Sequence, residues 1–142
     1  MDVILQCNYE ELRALRSGAR SWLDSHPRES VAVAAPPPGR PEVEALLPYL
    51  EGDLTLPTFA HQRVVEAGLE AVVQLLRVEM ELMVVQNHPA HEGAVAAYFD
   101  FAHAYAVLSR VREVGREMQA LIEVVTGAPV SEEVARGFVF PD

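Results

Sequence analysis

The sequence predicts a predominantly α, α+β fold: short N-terminal strands with one helix, followed by a long antiparallel helical hairpin that forms a bundle across a dimer. Three observations carry this prediction. Residues 59–87 and 90–126 repeat apolar side chains at three- and four-residue spacing, with the breaker Pro89 in "NHPAHEG" between them. Strand-like runs, "DVILQC", "SVAVAA" and "DLTLPT", occur only within the first 58 residues. The first long helix is apolar around most of its circumference, more than one neighbouring helix can cover. A single domain over 1–142 is expected, with a small β/α portion (1–57), the hairpin (58–127) and a C-terminal tail (128–142).

"DVILQC" reads as a strand that stops at Asn8, which with Glu11 forms an Asn-x-x-Glu variant of the capping box. The helix it starts runs from about Tyr9 to Leu23, with Leu12, Leu15, Ala19, Trp22 and Leu23 inward, and His26-Pro27 ends it. "SVAVAA" is a second strand, and "PPPGRP" is a rigid loop, because proline lacks the amide donor a helix interior needs. "PEVEALLPYLEG" starts a short helix that kinks or stops near Leu47, before Pro48. "DLTLPT" is a third strand, and Thr58 caps the first long helix.

In that helix Val64, Gly68, Ala71, Leu75, Val78, Leu82 and Val85 form one seam, suited to a partner helix. Val65, Leu69, Val72, Leu76, Glu79 and Met83 form a second beside it. The following helix aligns Ala94, Tyr98, Phe101, Tyr105, Leu108, Val111, Gly115, Met118, Ile122 and Val125, and its first half is expected to be the more buried. Gly127 and Pro129 end it; "SEEVA" starts a brief turn, and "GFVFPD" packs as an extended tail through Phe138 and Phe140.

Composition excludes several functions. With 21 acidic and 11 basic residues the formal charge is −10, which disfavours nucleic acid and anionic membranes as partners. All 11 basic residues are arginine, so Schiff-base chemistry and a lysine-containing phosphate loop are absent by inventory. Cys7 is the only cysteine, consistent with a reducing cytoplasm and a buried structural thiol. "MDVILQCNYEEL" is no secretory signal, and no apolar run reaches the roughly 20 residues that cross a bilayer. No glycine-rich phosphate loop or serine-nucleophile motif is present, so no catalysis is expected.

These features point to a small cytoplasmic interaction or assembly protein that self-associates, most economically as a homodimer, or docks a partner protein. The expected interface comprises Val64, Ala71, Leu75, Val78, Leu82, Tyr98, Phe101 and Tyr105.

The alternative is a metal-binding helical dimer. Glu79 falls on an apolar seam, and Asp100 and His103 sit one helical turn apart in "GAVAAYFDFAHAYAVL". With the turn centred near Pro89, residue 79 lies level with residue 100. Glu79 with Asp100-x-x-His103 resembles half of a ferritin-like di-metal site, in which each two-helix half supplies a Glu and a Glu-x-x-His. Here Asp replaces the second Glu and the motif occurs once, so two copies of the chain would be needed to complete a transition-metal centre. Hydrogen bonding of the same three residues across packed helices is the simpler expectation.

Two further groups stand out. His88, His91 and Glu92 have zinc-compatible spacing in the interhelix turn but lack a further ligand. Arg20 and His26 in "RSWLDSH" resemble in spacing the Arg and His of the helical HEPN ribonucleases, although the acidic chain suits RNA poorly and a solvated helix end accounts for them. A small-molecule pocket bounded by Met83, Tyr98 and Tyr105 is a further option, with core packing the usual role of such side chains.

Overall fold

The computed structural model describes residues 3–27, 39–87, 91–131 and 133. Its order is β1 (Val3–Leu5), α1 (Tyr9–Ser25), α2 (Arg40–Leu46), a 3₁₀ turn (Leu47–Glu51), β2 (Leu54–Leu56), α3 (Phe59–Gln86) and α4 (Glu92–Thr126). The molecule is mostly helical. The expected strand at "SVAVAA", the first half of the proline loop, Pro89 and the tail phenylalanines lie outside the described residues.

β1 and β2 form a two-stranded antiparallel sheet with Val3 opposite Leu56 and Leu5 opposite Leu54. One ribbon of this length is not stable alone, and it is held because Leu54 and Leu56 are buried in the helical core. The capping box that starts α1 is complete: the Glu11 N–H donates to Asn8 Oδ1 (2.8 Å) and the Asn8 N–H to Glu11 Oε1 (2.9 Å). α1 buries Leu15, Ala19 and Trp22 as its periodicity predicts. It has no basic residue in its last turn. The free carbonyls there are met from α2 instead: Arg40 Nη1 donates to the oxygens of His26 (2.6 Å) and Leu23 (3.2 Å). His26 stacks on Trp22 with ring centroids 3.9 Å apart, closing the end of the helix.

α2 gives way to the 3₁₀ turn at Leu47, where Pro48 can no longer supply an α-helical amide. Thr58 caps α3 by accepting from the His61 N–H (3.3 Å). At the far end of α4, Gly127 adopts φ 68°, the left-handed conformation in which glycine meets no Cβ penalty.

α3 and α4 pack antiparallel. Gln62 meets Val111 and Gly115, Glu70 meets Arg112, and Met83 meets Gly93, so the paired positions converge on the turn. α1 lies against both helices and α2 against α3. Close approach is set by glycines: a Cβ on Gly18 of α1 would come within 2.8 Å of Val72, and one on Gly68 of α3 within 2.6 Å of the Leu46 Cβ.

Of the two seams on α3, the one through Val65, Leu69, Val72 and Leu76 enters the core. The other is covered unevenly: Gly68 is buried under α2, Ala71 and Leu75 are half-buried, and Val64, Val78, Leu82 and Val85 are exposed. On α4 the core row is Ala104, Val107, Leu108, Val111, Gly115, Met118 and Ile122. Ala94, Leu108, Val111, Gly115, Met118 and Ile122 of the expected row are buried, but Tyr98, Tyr105 and Val125 stand in solvent and Phe101 is only half-buried, so along this row the later half of α4, and not the first, is the more buried. The cause is α1, which packs over the Asp100 and Arg110 side of α4 and turns the aromatic row outward.

Candidate docking face

The chain divides its apolar surface unequally along the hairpin. Near the end where the chain enters α3, α1, α2 and the ribbon supply cover. Toward the turn, Leu82 (51% exposed), Val85 (82%), Tyr98 (54%) and Phe99 (52%) are open to water, with Val78, Val84, Val95 and Tyr105 beside them. An exposed leucine alone needs no explanation, but eight large apolar side chains in water on this half of the hairpin are more than isolated cases.

Between the two helices on this half lies a groove of about 440 Å³, lined by Leu76, Glu79, Leu82, Met83 and Gln86 from α3 and Gly93, Ala96, Ala97 and Asp100 from α4. It continues the trough that α1 fills further along, since Leu76 lines the groove and also packs at Gly18. Small residues on α4 keep it open. Met83 lines it, whereas Tyr98 and Tyr105 do not.

Glu79 and Asp100 both line this groove. Each is held by α1: Ser21 Oγ donates to Glu79 Oε1 (2.9 Å), and Arg13 Nη2 to Asp100 Oδ1 (2.7 Å). The hydrogen bond that Arg13 donates to Asp100 strengthens the hold of Arg13 on its proton. His103 is half-buried. Among the described residues no three His, Cys, Asp or Glu side chains converge to hold a metal ion. The two carboxylates clamp α1 across the hairpin.

The other candidates also have structural roles. His91 is the N-cap of α4, its Nδ1 accepting from the Gly93 N–H (3.1 Å), and His88 lies outside the described residues. Arg20 is exposed, and His26 Nδ1 lies 2.9 Å from the Trp22 carbonyl. Cys7 is half-buried, and burial pushes its thiol pKa up while the Arg110 guanidinium pulls in the opposite direction. Among the described residues no helix is long and apolar enough to cross a membrane.

Sequence reasoning missed Phe99 and Val95 as part of the exposed face. Both were visible as apolar residues off the main seam, but only the position of α1 shows which side of α4 is left open. No family model, curated protein or solved structure matches the chain.

Proposed function

We propose that the protein is a non-enzymatic assembly protein of the cytoplasm that self-associates through the turn half of its α3–α4 hairpin. The observation that carries this reading is the exposed apolar set around Leu82, Val85, Tyr98 and Phe99. Tyr98, Phe99 and Tyr105, each about half exposed, leave roughly 300 Å² of ring surface in water, and the aliphatic neighbours add about as much again. That sum approaches the ~800 Å² per partner of a stable interface. A second copy is the economical occupant, because two such hairpins complete a four-helix arrangement in which each shields the other.

Of the residues proposed for the interface from sequence, Val78, Leu82, Tyr98 and Tyr105 belong to this patch; Val64 lies apart, beside α2, and Ala71, Leu75 and Phe101 already pack against the core. A metal centre has weaker support, since Glu79 and Asp100 already bond to α1.

Light scattering coupled to size exclusion tests the proposal. The parent chain is expected at twice its 15.6 kDa mass, and Leu82→Glu at the single mass with its helical content retained. A parent that stays at the single mass at several hundred micromolar would end it.

A further inference from the structure

We infer that the cleft between α3 and α4, at the end of the hairpin away from the turn, binds a small organic monoanion whose carboxylate is held by Arg63, Arg112 and Arg116. The cleft measures about 500 Å³, a size that suits a small molecule. It lies at the opposite end of the hairpin from the proposed docking face, so either reading can fail without the other.

Charge selects the ligand. The chain carries a formal charge of −10, yet three of its 11 arginines line this one cleft. Two carboxylates, Glu66 and Glu70, line it as well, so the walls keep one positive charge in surplus. A single negative charge balances that surplus, whereas a phosphate dianion would set an excess of negative charge against both glutamates. The planar guanidinium of arginine also matches a carboxylate through two parallel hydrogen bonds.

Both helices supply the arginines. Arg112 and Arg116 are one turn apart on α4 and share a face, while Arg63 stands on α3 with its guanidinium carbon 6.0 Å from the centre of the Phe59 ring. The glutamates are already engaged: Glu66 Oε1 accepts from Gln62 Nε2 (2.8 Å) and Glu70 Oε1 from Arg112 Nη2 (3.2 Å). Arg116 pairs with Glu113, which does not line the cleft. The Arg112 and Arg116 pairs are open to water, where such pairs contribute little, so an entering carboxylate can take over either guanidinium at small cost. Between the walls Gly115 contributes no side chain, and the buried Gln62 amide packed on it gives the cleft a polar floor.

Benzoate, titrated into the full-length chain and followed by proton–nitrogen NMR, tests the site. It is expected to shift the amide signals of residues 62–70 and 112–119 along one saturable curve, with a Kd of about 1 mM or tighter. Uncharged benzamide should leave them in place, and inorganic phosphate at pH 8, a dianion, should bind more weakly than benzoate. Arg112→Gln and Arg116→Gln are each expected to weaken benzoate about tenfold. Arg77→Gln removes the same charge from an exposed pair outside the cleft and should leave benzoate binding unchanged. The unfolding midpoint checks that each variant folds. Failure to saturate at tens of millimolar benzoate, shifts confined to other residues, equal binding of benzamide, or equal weakening by Arg77→Gln overturns the site; phosphate binding tighter than benzoate overturns the choice of a monoanion.

Discussion

Gln62 of α3 occupies the space that a side chain on Gly115 of α4 would take. The amide is 1% exposed, and its Nε2 donates both to the Val111 carbonyl (2.9 Å) and to Glu66 Oε1 (2.8 Å). A Cβ at position 115 would collide with the amide, so Gly115→Ala must displace a buried, doubly bonded group. The expected loss is about 2–3 kcal/mol, from overpacking together with the disturbed hydrogen bonds. In urea unfolding, Gln62→Ala combined with Gly115→Ala should cost less than the sum of the single changes, because the smaller side chain vacates the contested space. Strict additivity would show that the two residues do not contend for it.

Two ion pairs join α1 to α4, and burial separates their contributions. Glu11 is 5% exposed and its Oε1 accepts from both the Asn8 N–H and Arg110 Nη2 (3.0 Å), so Glu11→Ala removes a cap and an interhelix bond together. A loss of about 2 kcal/mol is expected. The Arg13–Asp100 pair is more open, its side chains 42% and 26% exposed, and Arg13→Ala should cost less than about 1 kcal/mol because water screens the charges. Chemical denaturation of the two variants in the same buffer gives the order; equal losses would show that burial does not set it.

Much of this fold is legible in local sequence. The caps at Asn8 and Thr58, the stop before Pro48 and the left-handed glycine at 127 involve residues within a turn or two of each other, where sequence spacing is spatial spacing. That Glu79 and Asp100 line one groove follows from counting outward from the turn. The choice between two apolar seams on α3 was not legible, because a helix apolar around most of its surface does not announce which face meets α1. Nor was the carbonyl cap on α1, since Arg40 lies 14 residues from His26 and only folding joins them. Nothing local signals the burial of Gln62, because Gly115 beneath it belongs to another helix.

The two groove carboxylates make a prediction about metals. Glu79 and Asp100 are bonded to Ser21 and Arg13, and a cation entering between them would have to compete with the Arg13 guanidinium 2.7 Å from Asp100. Protein purified without a histidine tag is therefore expected to carry no stoichiometric zinc or iron, and chelator treatment should leave its unfolding midpoint unchanged. The contrary result is a bound transition metal, measured by elemental analysis, that disappears when Asp100→Ala is combined with His103→Ala.

Cys7 supplies the pH-dependent prediction. Its backbone N–H donates to Asp53 Oδ1 (3.1 Å), which ties the exit of β1 to the segment before β2 and holds the thiol half-buried. Burial favours the neutral thiol and raises its pKa in the folded chain, with the Arg110 guanidinium opposing part of that rise. The unfolded chain therefore releases this proton first as pH increases. The stability contributed by the neutral thiol is fully present below the unfolded-state pKa and is lost as pH rises through the folded-state pKa. Alkylation by iodoacetamide, which consumes the thiolate, should be slower at pH 8 in the folded protein than in the urea-unfolded chain. Its rate should inflect at a higher pH when folded, and Cys7→Ser should abolish the alkylation. A folded protein that alkylates as fast as the unfolded chain, with the same inflection, would show that burial does not govern this thiol.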